Sequence, residues 1–170
     1  MKKLKYEQSL RLMFNHNSIR ASFEKLEKSI ISDNLDDQYI YTAIGELLLW
    51  VVTTDEWHQI HGLGDYKKRR NKNTDGEIIF GMRHAFNMLK HNMAFFQIHR
   101  KDGGLEFPMT FPIEIDEITV NWMPAGDVLN GKYPEQKENY INYLEGKDVL
   151  ETFSKVITFL NEEYTRIKFD

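Results

Sequence analysis

Arg83, Asn87 and His91 follow one another at four-residue intervals. On a helix this spacing makes a slowly drifting row, so that one ligand can meet all three side chains. A guanidinium grips a phosphate through parallel N–H donors and stabilises developing negative charge. An imidazole near its ordinary pKa gives or takes a proton around neutrality. The Asn87 amide would orient either the ring or a phosphate oxygen. The set suits a phosphodiester. In an RNase reading His91 is the general acid or base, a ribose 2′-hydroxyl is the nucleophile, and Arg83 stabilises the pentacovalent charge. The plain alternative is a polar helix face turned to water.

Two further groups are capable of chemistry. Lys67, Lys68, Arg69 and Arg70, with Lys72 close behind, form a basic run that can engage phosphates. Its plain reading is a solvated loop between helices. Asp55-x-x-His58-x-x-His61 places three metal-capable side chains on one side of a helix. A di-iron site would need a second such motif and two more carboxylates, which the sequence lacks. A mononuclear site would draw on His84 or His91 for a further ligand. His58 continues an apolar stripe, so a core histidine is the favoured expectation and no metal is assigned. No cofactor is expected either. There is no Gly-rich phosphate loop, no Gly-x-Ser-x-Gly elbow and no zincin motif.

The elements that must position these residues are legible from periodicity. The row lies in Ile78 to Phe96, within a helix expected from about Asp75 into the nineties, after a cap signal at Asn73-Thr74-Asp75. Residues 93–99 read either as its continuation or as the start of a strand. Residues 35–61 form the longest periodic segment, with Ile40, Ile44, Leu47, Val51 and His58 on one side. Its broad apolar face predicts a central helix. Gly45 within it costs stability unless another backbone packs close. Upstream, Ile19, Phe23, Leu26 and Ile30 predict a helix over 18–32, with a break at Asn15-His16-Asn17-Ser18.

Downstream, Lys101-Asp102-Gly103-Gly104 reads as a turn. Alternation at Leu105, Phe107, Met109 and Phe111, at Ile113 and Ile115, and at Ile118, Val120 and Trp122 then predicts short strands. Pro108 and Pro112 place the first at an edge. Asn130-Gly131 is a second turn, Pro134 to Leu144 a short helix, and Lys147 to Lys168 an amphipathic C-terminal helix. The expected architecture is mainly α (α+β): four to five helices with a small antiparallel β insertion near residues 105–122, in one domain over 1–170.

The bulk composition bounds the function. A 170-residue chain can bury a real core. A net charge of −4 gives no global attraction to nucleic acid, so anion binding must be local. There is no cysteine, hence no disulfide or thiolate chemistry, in keeping with a reducing cytoplasm. The N-terminus lacks a continuous apolar stretch of the signal-peptide kind. The longest apolar run, Ala43 to Val52, contains Glu46 and is too short to span a bilayer. No membrane association is expected.

From about Trp50 to Leu160 the chain resembles a family of uncharacterised bacterial proteins. The resemblance rests on Asp55-Glu56-x-His58, Asp75-Gly76 and Gly81-Met82-Arg83-His84-Ala85-Phe86-Asn87 with His91. It continues in Asn121-Trp122 before Pro124 and in Tyr140-x-x-x-Leu144-x-Gly146-Lys147-x-Val149-x-x-Thr152. In that family the helix reads Gly-Leu-Arg-Tyr-Ala-Arg-Asn-x-x-x-His, and its Arg-Asn-x-x-x-His part is similar to the signature of HEPN domains. The resemblance implies a helical, homodimeric protein, with Asn87 and His91 at a site that handles RNA without metal. The HEPN arginine falls at Phe86 here, and Arg83 lies one turn away. Two readings follow. One is a HEPN-like RNA-binding protein or metal-independent RNase, active or degenerate. The other is a non-enzymatic phage or toxin–antitoxin-type protein-interaction module.

Overall fold

The computed structural model describes residues 4–31, 37–91, 94–101, 117–125 and 132–167. The elements are α1 (Tyr6–Ile31), α2 (Asp37–His61), α3 (Tyr66–Arg70), α4 (Thr74–Lys90), β1 (Phe96–Lys101), β2 (Glu117–Trp122), α5 (Pro134–Tyr143) and α6 (Val149–Thr165). The architecture is mainly α with a small antiparallel sheet, as the periodicity predicts. The alternating residues 105–115, with Pro108 and Pro112, lie outside the described residues. So do the Asn130-Gly131 turn and the part of the 101–104 turn beyond Lys101.

α1 differs from expectation at its centre. It runs unbroken through Asn15-His16-Asn17-Ser18. Asn15 is buried on the stripe of Leu12, Ile19, Ser22, Leu26 and Ile30. Packing of that stripe overrides the local preference of these polar residues for caps and turns. α1 and α2 are antiparallel neighbours. Lys25 reaches Glu46 at 2.9 Å near one end, and Gln8 Nε2 lies 3.2 Å from His61 Nδ1 at the other. α2 buries residues around much of its circumference, including Ile40, Ile44, Leu47, Leu48, Val51 and His58. At Gly45 the neighbour is a side chain rather than another backbone: an added Cβ would meet Leu89 Cδ2 at 3.3 Å.

α4 stops at Lys90, short of the nineties. The His91 N–H donates to Asn87 O at 3.3 Å and Met88 O at 3.0 Å, closing the helix. Phe95 is then fully buried, and the chain turns into β1. β1 pairs antiparallel with β2, Phe96 opposite Trp122 and Ile98 opposite Val120. Val120 and Trp122 point into the core, as their alternation predicts.

Trp122 ties the sheet to the C-terminal helices. Its N–H donates to Lys147 O at 3.0 Å, and its carbonyl accepts from Gly146 N at 3.0 Å. Gly146 takes φ +69°, a conformation suited to glycine. The indole Nε1 donates to Thr152 Oγ1 at 2.8 Å, and Tyr140 Oη donates to Met123 O at 2.7 Å. Trp122, Tyr140, Leu144, Val149 and Phe153 are all fully buried. α6 begins at Asp148, whose carboxylate accepts from Glu151 N at 2.8 Å.

Candidate functional site

α4 is set by its start and its packing. Asn73 Oδ1 accepts from Asp75 N at 2.8 Å and Gly76 N at 3.1 Å, satisfying two of the free donors at the helix start. Ile78, Ile79, Met82, Ala85 and Met88 are buried. Gly76 and Gly81 permit close approach. A Cβ on Gly76 would sit 2.5 Å from Arg70 O, and one on Gly81 would sit 2.5 Å from Leu144 Cδ1 and 3.1 Å from Tyr140 Cα. Packing against backbone therefore requires glycine at position 76, while a side chain at position 81 would force Leu144 and the α5 backbone to give way.

Arg83 faces α2. Its Nε and Nη2 donate to Asp55 Oδ2 at 3.1 and 2.5 Å, and its Nη1 donates to Glu56 Oε1 at 2.9 Å. Asp55 is fully buried and has two further donors. Arg70 Nη1 lies 2.9 Å from both carboxylate oxygens, and Tyr66 Oη donates to Oδ1 at 2.6 Å. Burial alone would raise the Asp55 pKa. Arg70 and Arg83, with the hydrogen bonds from Tyr66 and Arg83, outweigh burial and hold it below the ordinary carboxylate value. Burial, followed by the neighbouring Asp55 charge, pushes Tyr66 up, so it remains a neutral donor. Arg70 lies with its guanidinium carbon 4.1 Å from the Phe80 ring centroid, which covers the charge with apolar surface. The result is a buried carboxylate clamped by two guanidiniums and a phenol.

The other members of the row go elsewhere. Asn87 Nδ2 donates to Gln136 Oε1 on α5 at 3.2 Å. His91 is exposed and caps α4 through its backbone. Among the described residues, the side chains of Arg83, Asn87 and His91 share no hydrogen bond. Arg83 is tied to α2 and Asn87 to α5, with His91 at the helix end. Phe86 is half-buried, with Lys90 Nζ 4.8 Å from its ring centroid. His84 is fully buried, and neither of its ring nitrogens has a hydrogen-bond partner. Burial, aided by Lys137, lowers its pKa.

The basic run forms the short helix α3 rather than a loop. Its four cations divide into two pairs. Arg69 bonds Asp65 and reaches Glu163 at 2.8 and 2.5 Å, while Arg70 belongs to the Asp55 clamp. Lys67 and Lys68 are exposed and hold no ion pair among the described residues.

Asp55, His58 and His61 do not converge. Asp55 is occupied by arginines, His58 stacks on Tyr66 at 5.0 Å with the planes 19° apart, and His61 meets Gln8. Among the described residues no group of three or more His, Asp or Glu could hold a metal. The structure adds a neighbour that spacing could not supply. His16 of α1 lies edge-on to His58, ring centroids 6.0 Å apart, and the Nε2 atoms of both are buried without partners. Burial, then proximity to His16, lowers the His58 pKa to about 3. The sequence marks Asp55 as a metal-capable group and as part of the resemblance, but spacing along α2 gives no sign of the two arginines that surround it.

Comparisons with protein-family models, curated proteins and solved structures found no match. No helix among the described residues is long and apolar enough to cross a membrane.

Proposed function

We propose that this chain is a degenerate HEPN-like helical protein that works as a non-enzymatic interaction module. The observation that carries the reading is the capture of Arg83 by Asp55 and Glu56. An arginine whose charge is answered by two carboxylates has little left for a phosphate in a transition state. Phe86 supplies no substitute charge, and His91 stands without a side-chain partner among the described residues. Much of the sequence pattern behind the resemblance also has a structural use. Asp55, Gly76, Gly81, Trp122, Tyr140, Gly146 and Thr152 hold the fold together through the contacts above. Exposed apolar side chains on the adjacent helices α1 and α2, Tyr6, Met13, Phe14, Leu49 and Ile60, offer surface for a protein partner, a second copy of the chain first among them.

A second reading, RNA contact without cleavage, is favoured by Lys67 and Lys68, which are exposed and unpaired among the described residues.

The test is incubation of the purified chain with single-stranded and duplex RNA in the presence of chelator, beside light scattering to count subunits. The expected result is a dimer that leaves RNA intact, with His91→Ala indistinguishable from wild type. Cleavage that survives chelation and disappears in His91→Ala would replace this reading with the RNase one.

A further inference from the structure

One end of the bundle holds a cavity of about 830 Å³, where the start of α1, the end of α2, α3 and the segment after α6 meet. That volume lies in the range of small-molecule sites, about 300–1,000 Å³. Leu4, Ile60, Leu63 and Ile167 give it aliphatic walls, and Lys67 and Arg166 also line it. Ile60 is 68% exposed and Leu63 is 40% exposed, so this apolar surface is open to solvent.

The charge of the lining is the informative feature. The chain carries 26 acidic residues against 22 Lys and Arg, yet none of the described residues lining this cavity is Asp or Glu. Lys67 has no ion pair among the described residues. Arg166 Nε lies 3.2 Å from Glu163 Oε1, but Glu163 already takes two shorter bonds from Arg69. Arg69 and Arg166 are together balanced by Asp65 and Glu163, so the positive charge left over at the cavity is that of Lys67, beside aliphatic surface.

That combination selects a ligand class. A nucleobase would need an open aromatic face for stacking. Of the two aromatic rings in the described lining, Tyr66 is 1% exposed and already stacked on His58, and His61 is half-buried, tilted against Trp57 at 5.4 Å and held by Gln8. Saturated walls and a cationic rim match a saturated chain with a charged end.

We infer that this cavity binds an aliphatic chain ending in an anionic head group. The chain lies along Leu4, Ile60, Leu63 and Ile167, and the head group meets Lys67 and Arg166. The site is independent of the α4 row and does not rest on the HEPN-like reading.

Calorimetric titration of the full chain tests it, with dodecanoate and dodecyl phosphate, each below its micelle concentration, and dodecanol as the uncharged control. The expected result is saturable one-to-one binding of at least one of the two anions, weakened about tenfold or more for dodecanol. Lys67→Glu and Leu63→Asp should each weaken it by a similar factor. Lys132→Glu, which changes a cation outside the cavity, should not. Circular dichroism confirms that each variant is folded, and because Lys67 is exposed its substitution leaves the core intact. The tighter of the two anions names the head group. No saturable binding of either anion, equal affinity for dodecanol, or unchanged affinity in Lys67→Glu would overturn the inference.

Discussion

Arg83 Nη2 lies 2.5 Å from Asp55 Oδ2 although 28 residues separate them in the chain. This contact joins α4 to α2 and places the most reactive-looking arginine of the sequence inside the fold. A buried charge that loses its partner is far costlier than the pair is worth. Asp55→Asn leaves the buried Arg70 without its countercharge and Arg83 with the exposed Glu56 alone. The expected loss is about 3–5 kcal/mol of unfolding free energy, measured by urea denaturation.

Stability should fall on acidification, beginning near neutrality. His58 has a folded pKa of about 3 against an ordinary 6.5. Between those values the unfolded chain binds a proton that the folded chain does not. The His58 contribution is therefore fully present above pH 6.5 and is lost as the pH falls toward 3. Asp55, also lowered, adds a loss of the same sign below its ordinary 3.8. One proton changes stability by at most about 1.4 kcal/mol per pH unit. His58→Phe should flatten the profile below pH 6.5 by up to that slope, read from denaturant midpoints across pH. An unchanged profile would show that His58 is not held neutral.

The glycines of α3–α4 should differ sharply from that at Gly64. Gly76→Ala drives a Cβ to 2.5 Å from Arg70 O, which is backbone and cannot swing aside. The expected cost is about 1–3 kcal/mol. A Cβ at Gly64 meets nothing within 4 Å, so Gly64→Ala should be nearly neutral. Thermal melts of the two variants make the comparison.

Trp122→Phe removes the indole donor to Thr152 and leaves a gap where a fully buried ring stood. A loss of about 1–3 kcal/mol is expected from the polar term, with cavity cost added. Thr152→Val, which keeps the shape, strands the same indole N–H and should cost about as much as that polar term. Melting temperatures order the two.

The residues that were legible in the sequence are those whose neighbours lie within a few turns. The apolar faces of α2, α4 and α6, the Asn73 cap and the alternation of Val120 and Trp122 follow from local periodicity. Capping preference, which is local, predicts a break in α1 at Asn15, whereas the packing that keeps the helix whole comes from other helices. The row Arg83, Asn87 and His91 was legible as a spacing. Its use was not, because spacing along one helix says nothing of a carboxylate on another. Asp55 reaches Arg83 only through the packing of α2 on α4, and His16 meets His58 only through that of α1.

A double-mutant cycle on Asp55 and Arg83 is the most direct test of whether α4 spends its arginine on the fold. Unfolding free energies of wild type, Asp55→Asn, Arg83→Met and the double variant give the coupling. The expected result is a favourable coupling of about 1–3 kcal/mol, with the double variant more stable than the sum of single losses implies. A coupling near zero, with Arg83→Met as stable as wild type, would contradict it and return Arg83 to the surface as a group free to meet a ligand.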